Sequence, residues 1–225
     1  MKIIWIVAVV VSAMGCGEGV KYDGEGPEVA PGRDLLVGLG NVTTFDHVML
    51  DGVFQNFTTN TDIVRVDYLA LEGSAEGRFQ LDNYLNALNT IQSGQLVGQN
   101  QRLAYWLNGY NANMLDLILR TFQGDLNYSP ENNDFAIFRR EEVYMGQESF
   151  SLNHIEHGII RGDPDDSTLE GVPQAKLDRL AELHNLIWSG SDVDARIHMA
   201  LNCASAGCPD LYAGTPQALK PALLD

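Results

Sequence analysis

The chain has 225 residues, 45% of them hydrophobic, which is enough for one globular core once a short N-terminal segment is set aside. Its 14 Lys and Arg against 30 Asp and Glu give a formal charge of −16, which excludes a protein built to grip phosphate backbones and makes nucleic acid no partner, because that contact needs a basic patch. The acidic residues are spread along the chain as on a solvated surface, not gathered into a tail.

Residues 1–15 read as an export signal, with Lys2 as a minimal charged start, Ile3 to Val11 as the apolar core and Ser12-Ala-Met-Gly-Cys16 as the cleavage region. The apolar run is too short to span a bilayer. Cys16 behind small residues resembles a bacterial lipobox, with Ala13 where such boxes usually carry Leu. That resemblance implies cleavage before Cys16, a lipid on its thiol and a membrane as partner through the lipid. Gly17 after the cysteine, in place of Asp, leans the sorting toward the outer membrane, so the expected location is the periplasmic face of a bacterial membrane, outer more than inner. Residues 16–33 carry Gly19, Gly24, Gly26, Pro27 and Pro31 with few large apolar side chains, the composition of a flexible tether. Residues 34–225 are then a single domain.

Within the domain, Val42, Phe45, Val48, Met49, Val53 and Phe57 recur at 3- and 4-residue spacing and predict a first amphipathic helix. Ile63 to Leu71 is rich in β-branched and aromatic residues and predicts a strand, and Leu81, Leu85 and Leu88 mark the helix that follows. From Gln99 to Phe122, Leu103, Trp106, Leu107, Tyr110, Met114, Leu117 and Ile118 share one sector at about 100° per residue, which predicts a long helix central to the core. Asn111 projects beside Leu107 and Ile118 and is expected to be buried, where an unsatisfied amide costs roughly 1–3 kcal/mol. It either pins a neighbouring loop or orients a catalytic histidine, and the loop comes first; Asn108 lies further round. Val143 to Phe150 reads as a hairpin turning at Gly146 and leading into a helix capped by Ser151, with Leu152, Ile155 and Ile159 as its apolar stripe. Glu156 projects close to that stripe and needs a cation, Arg161 or Arg196. On the same wheel His154 and His157 both fall away from the stripe. The expected architecture is α+β: a long central helix, flanking helices and a small sheet from segments near 63–71, 135–150 and 195–201.

Asp194 to Pro209 is an apolar, strand-like run that delivers Cys203 into a small-residue loop. Three readings follow. In the first, Cys203 and Cys208 pair in an oxidising compartment and the loop has a structural or binding role, for a peptide or envelope-derived ligand. In the second, Cys203 is the nucleophile of a hydrolase or acyltransferase, with His157 as its proton carrier and Glu156 or Asn111 positioning the ring. The order, His before Cys, is opposite to that in papain, which removes a direct peptidase motif but leaves the geometry open. In the third, zinc collects Cys203, Cys208, His154, His157 or His198, at spacings only loosely zinc-like. The structural reading leads and zinc comes last. No phosphate loop, dinucleotide fingerprint or base-stacking platform is present in the sequence, so no cofactor is expected.

Val64-Arg-Val-Asp-Tyr-Leu69, Leu81-Asp-Asn-Tyr-Leu85, Leu103 to Ala112, Ser151 to Arg161 and Ala195 to Leu211 together resemble the bacterial, exported branch of the family called domain of unknown function 547. The resemblance covers roughly residues 60–211. It implies a domain often secreted or lipid-anchored, without an established activity, and it favours His157 over His154 because the family motif resembles Ile155-Glu156-His157. Members of the family continue past the Cys-Pro segment with a further helix and an aromatic-rich stretch, so a chain ending at Asp225 is expected to lack that part.

Overall fold

The computed structural model describes residue 57 and residues 66–91, 95–96, 98–125, 127–190 and 192–204; the export signal, the tether, Cys16, Cys208 and most of the predicted first helix lie outside them. In chain order the described elements are α1 (Tyr68–Gly73), α2 (Ala75–Thr90), α3 (Gln99–Phe122), a four-residue helical turn (Asn132–Phe135), β1 (Val143–Met145), β2 (Glu148–Phe150), a π-helix over His154–Arg161 and α4 (Gln174–Trp188). Short 3₁₀ turns cover Ala136–Arg139, Ser167–Leu169 and Ala195–Met199. Together they form one α+β domain.

The first helices are set by their caps. Asp67 accepts the Ala70 N–H at 2.9 Å and starts α1, and Ser74 accepts the Gly77 N–H at 3.0 Å and starts α2. This corrects the strand predicted over residues 63–71 in its part from Tyr68 to Leu71, where the N-cap at Asp67 starts a helix; Val66 keeps a β-bridge, and residues 63–65 lie outside the described residues. On α2, Gly77, Leu81, Tyr84 and Leu88 recur at 4- and 3-residue steps and are buried.

The long helix α3 spans the predicted residues and is buried nearly all the way round, from Leu103 to Leu119 with only Ala104 partly open, so it is the axis of the core. The other elements pack around it. Gly109 gives room to the Met145 thioether from β1, and any Cβ there would overlap it. Trp106 meets the Phe150 ring edge-on at 5.4 Å. The Tyr105 hydroxyl donates to the Leu88 carbonyl at 2.8 Å, tying the end of α2 to α3.

β1 and β2 pair antiparallel, Val143 opposite Phe150 and Met145 opposite Glu148. The two-residue loop, Gly146 and Gln147, has φ of 61° and 67°, the positive pair that a type I′ turn requires. The small sheet consists of this hairpin among the described residues. Residues 195–199, predicted as a strand, form a 3₁₀ turn held by the Asp194 carbonyl accepting the Ile197 N–H and the Ile197 carbonyl accepting the Ala200 N–H.

Candidate functional site

The hairpin runs directly into the segment that carries Glu156 and His157. The Ser151 hydroxyl accepts the His154 N–H at 3.1 Å, and the His154 Nδ1 accepts the Ser151 N–H at 3.2 Å. The two form a reciprocal capping box in which an imidazole stands where glutamate usually does. His154 is buried, and burial lowers its pKa below 6.5. Its burial corrects the expectation that it faces away from the core. The wheel assumed an α-helix, but a π-helix bonds i→i+5 and turns less per residue, so His154 swings inward with Ile155, Gly158, Ile159 and Ile160.

The π-helix ends where α4 receives it. The His184 Nδ1–H donates to the Ile159 carbonyl and the Trp188 Nε1–H to the Ile160 carbonyl, both at 2.9 Å. Spaced i, i+4 on one face of α4, these side chains satisfy carbonyls that a helix end leaves open. Gly162, at φ 67°, then reverses the chain, and a Cβ at that position would overlap the His184 ring.

The altered winding leaves Glu156 and His157 half-buried at the edge of the core. The Arg161 guanidinium pairs with Glu156, which resolves the two cations that the sequence allowed. Glu156 also faces the Tyr110 hydroxyl of α3. Burial, reinforced by the Glu156 charge and opposed by Arg161, raises the Tyr110 pKa well above 10, so the phenol stays neutral. It makes no well-formed hydrogen bond among the described residues. The His157 Nδ1 lies 2.9 Å from Asp166 Oδ2. Asp166 is itself anchored, its Oδ1 accepting the Thr168 N–H at 2.8 Å and the Thr168 hydroxyl at 2.6 Å. These bonds, ahead of the nearby His157 ring, hold its carboxyl below the ordinary range.

Asn111 stands one residue beyond Tyr110 on α3. Its Nδ2 donates to the Ala200 carbonyl at 2.8 Å and its Oδ1 accepts the Asn202 N–H at 3.0 Å, so both ends of the amide hold the segment entering the cysteine loop. Neither Asn111 nor Glu156 is bonded to the His157 ring; the carboxylate that holds it is Asp166. The Asn108 Nδ2 donates to the Ala104 carbonyl within α3.

Cys203 follows directly, half-buried and disulfide-bonded. The other two cysteines of the chain, Cys16 and Cys208, both lie outside the described residues. Of the predicted zinc ligands, His154 and His157 have their Nδ1 atoms engaged, His198 is exposed, and no three metal-ligating side chains are gathered among the described residues. Asp166 and Tyr110 were missed from sequence. The signal for Asp166 was the Asp-x-Thr spacing of an Asx-turn; Tyr110 was assigned to the core, where its ring does lie.

The molecule is thus a helical α+β domain in which a hairpin-fed π-helix and the segment leading to Cys203 meet two consecutive residues of the central helix. The family model for DUF547, described as a protein of unknown function, matches residues 94–225, and the chain belongs to that family. The motifs at residues 64–69 and 81–85 precede the matched region. No curated protein and no solved structure matches the chain.

Proposed function

We propose that the chain is an exported bacterial lipoprotein, anchored through Cys16 to the periplasmic face of a membrane, outer more than inner. Its DUF547 domain uses the cysteine loop as a stapled element that presents a binding surface to a peptide or other envelope-derived ligand. The observation that carries this reading is the disulfide at Cys203, on a segment that Asn111 already holds by two hydrogen bonds. A covalent staple beside a buried amide latch suits a rigid loop better than a nucleophile that must be free. Pairing of Cys203 with Cys208 is part of the proposal and closes a small loop in an oxidising compartment. Replacing Cys203 with Ala tests it: urea denaturation is expected to show a loss of roughly 2–5 kcal/mol relative to the parent protein. Unchanged stability would reject the stapled loop.

A second reading is favoured by one observation, the carboxylate on His157. A dithiol reductant would first release Cys203. The thiol proton then passes to His157 Nε2, the thiolate carbon bond forms at an acyl carbonyl, and the leaving amine or alkoxide departs with that proton. Water hydrolyses the thioester and restores the thiol, which makes the reaction an acyl transfer or hydrolysis. Under this reading Cys203→Ala abolishes turnover and leaves the stability of the reduced protein unchanged.

A further inference from the structure

The described histidines differ in what holds their rings. His154 uses Nδ1 on the Ser151 amide, His184 uses Nδ1 on the Ile159 carbonyl, and His198 stands exposed on the 3₁₀ turn before the cysteine loop. His157 alone among them has a carboxylate against one ring nitrogen. We propose that Asp166 is the positioning residue of His157, fixing the ring as its Nδ1–H tautomer and presenting the Nε2 lone pair as a proton acceptor. The inference rests on the acyl-transfer reading only for the identity of the proton donor, the reduced Cys203 thiol.

A carboxylate oxygen can only accept, so the contact at 2.9 Å requires the proton on Nδ1. Asp166 is itself held, because its other oxygen accepts both the backbone N–H and the hydroxyl of Thr168. The competing group is Arg161, whose Nη1 approaches the same Nδ1 at 3.5 Å; its Nη2 is engaged by Glu156, so the guanidinium is drawn to that carboxylate and the short contact belongs to Asp166. With Nδ1 engaged, Nε2 is the nitrogen left to exchange a proton, and it has no hydrogen-bond partner among the described residues. The ring is 13% exposed, enclosed enough to be oriented and open enough to be reached. The sequence order reinforces the arrangement: Gly162 reverses the chain after the π-helix and returns Asp166 against the residue nine positions before it.

The test is the tautomer of His157 in the full-length protein labelled with ¹⁵N-histidine, read from two-dimensional ¹H–¹⁵N spectra at neutral pH. Wild type is expected to carry the Nδ1–H form. Asp166→Asn is expected to move the ring toward Nε2–H, because a carboxamide can donate to Nδ1, and Asp166→Glu is expected to restore Nδ1–H at least in part. A wild-type ring in the Nε2–H form, or a tautomer unchanged in Asp166→Asn, would overturn the proposal. Should the asparagine variant not fold, the wild-type tautomer decides alone. A separate arm tests the thiol reading: after phosphine reduction, Cys203 carbamidomethylation by iodoacetamide is expected to slow on the order of 10²-fold in His157→Gln. A tautomer that responds to Asp166 with an alkylation rate indifferent to His157 would leave the positioning role standing and remove the thiol reading.

Discussion

At the scale of single residues, two neighbouring histidines have opposite roles for reasons of hydrogen bonding. His154 can accept the Ser151 N–H only while its Nδ1 is unprotonated. Burial lowers its pKa below 6.5, Lys176 lowers it further, and Glu141 opposes both. In the unfolded chain the ring takes up its proton near pH 6.5, and in the folded protein it does so at lower pH. Between those two values the unfolded state binds more protons, so stability falls as pH drops; above about pH 6.5 the contribution of the neutral ring is complete. The urea midpoint is therefore expected to fall between about pH 7 and about pH 5, and to fall less steeply in His154→Gln. Parallel pH profiles for the two proteins would contradict this. At this scale the sequence revealed needs more readily than partners. A carboxylate near an apolar stripe had to be paired, and Glu156 is, with Arg161. A buried amide had to be satisfied, and Asn111 is, at both ends. Asp166 left little trace because its partner lies across a turn, where helical periodicity carries no information.

At the scale of elements, the π-helix decides what the site presents. One slower winding brings His154 inward and leaves His157 at the rim, an outcome that a wheel drawn at 100° per residue cannot give. Its stability depends on α4, which packs Leu180 against Gly158 and supplies His184 and Trp188 to the last carbonyls. Gly162 and Gly171 both have positive φ, 67° and 82°, but only Gly162 lies against a side chain. Replacing Gly171 with Ala is expected to cost only the backbone strain, roughly 1–3 kcal/mol, whereas Gly162→Ala should cost more because His184 must also move. Equal losses in thermal or urea unfolding would mean that the His184 contact does not hold the helix end. Elements with strong periodic signals were legible: α3 over its whole length and the hairpin at Gly146. The predicted strands were not over 68–71 and 195–199, because apolar, β-branched composition resembles a strand whether the backbone is extended or capped into short turns, and the cap at Asp67 and the turn from Asp194 prevailed.

At the scale of the whole molecule, α3 is the common support: the hairpin rests on Gly109 and Trp106, the π-helix on the Tyr110 side, and the segment leading to Cys203 on Asn111. The formal charge of −16 suits a solvated surface, and no helix among the described residues is long and apolar enough to cross a membrane. The proposed anchor and compartment rest on the N-terminal sequence, and the oxidising compartment they imply agrees with a disulfide at Cys203. That bond is the centre of the account. Its direct test is mass-spectrometric alkylation of the purified protein at neutral pH, with and without reductant, following Cys203 and Cys208 separately. The account predicts that both label only after reduction. Rapid labelling of Cys203 without reductant, while Cys208 stays slow, would contradict it and identify Cys203 as a free, activated thiol.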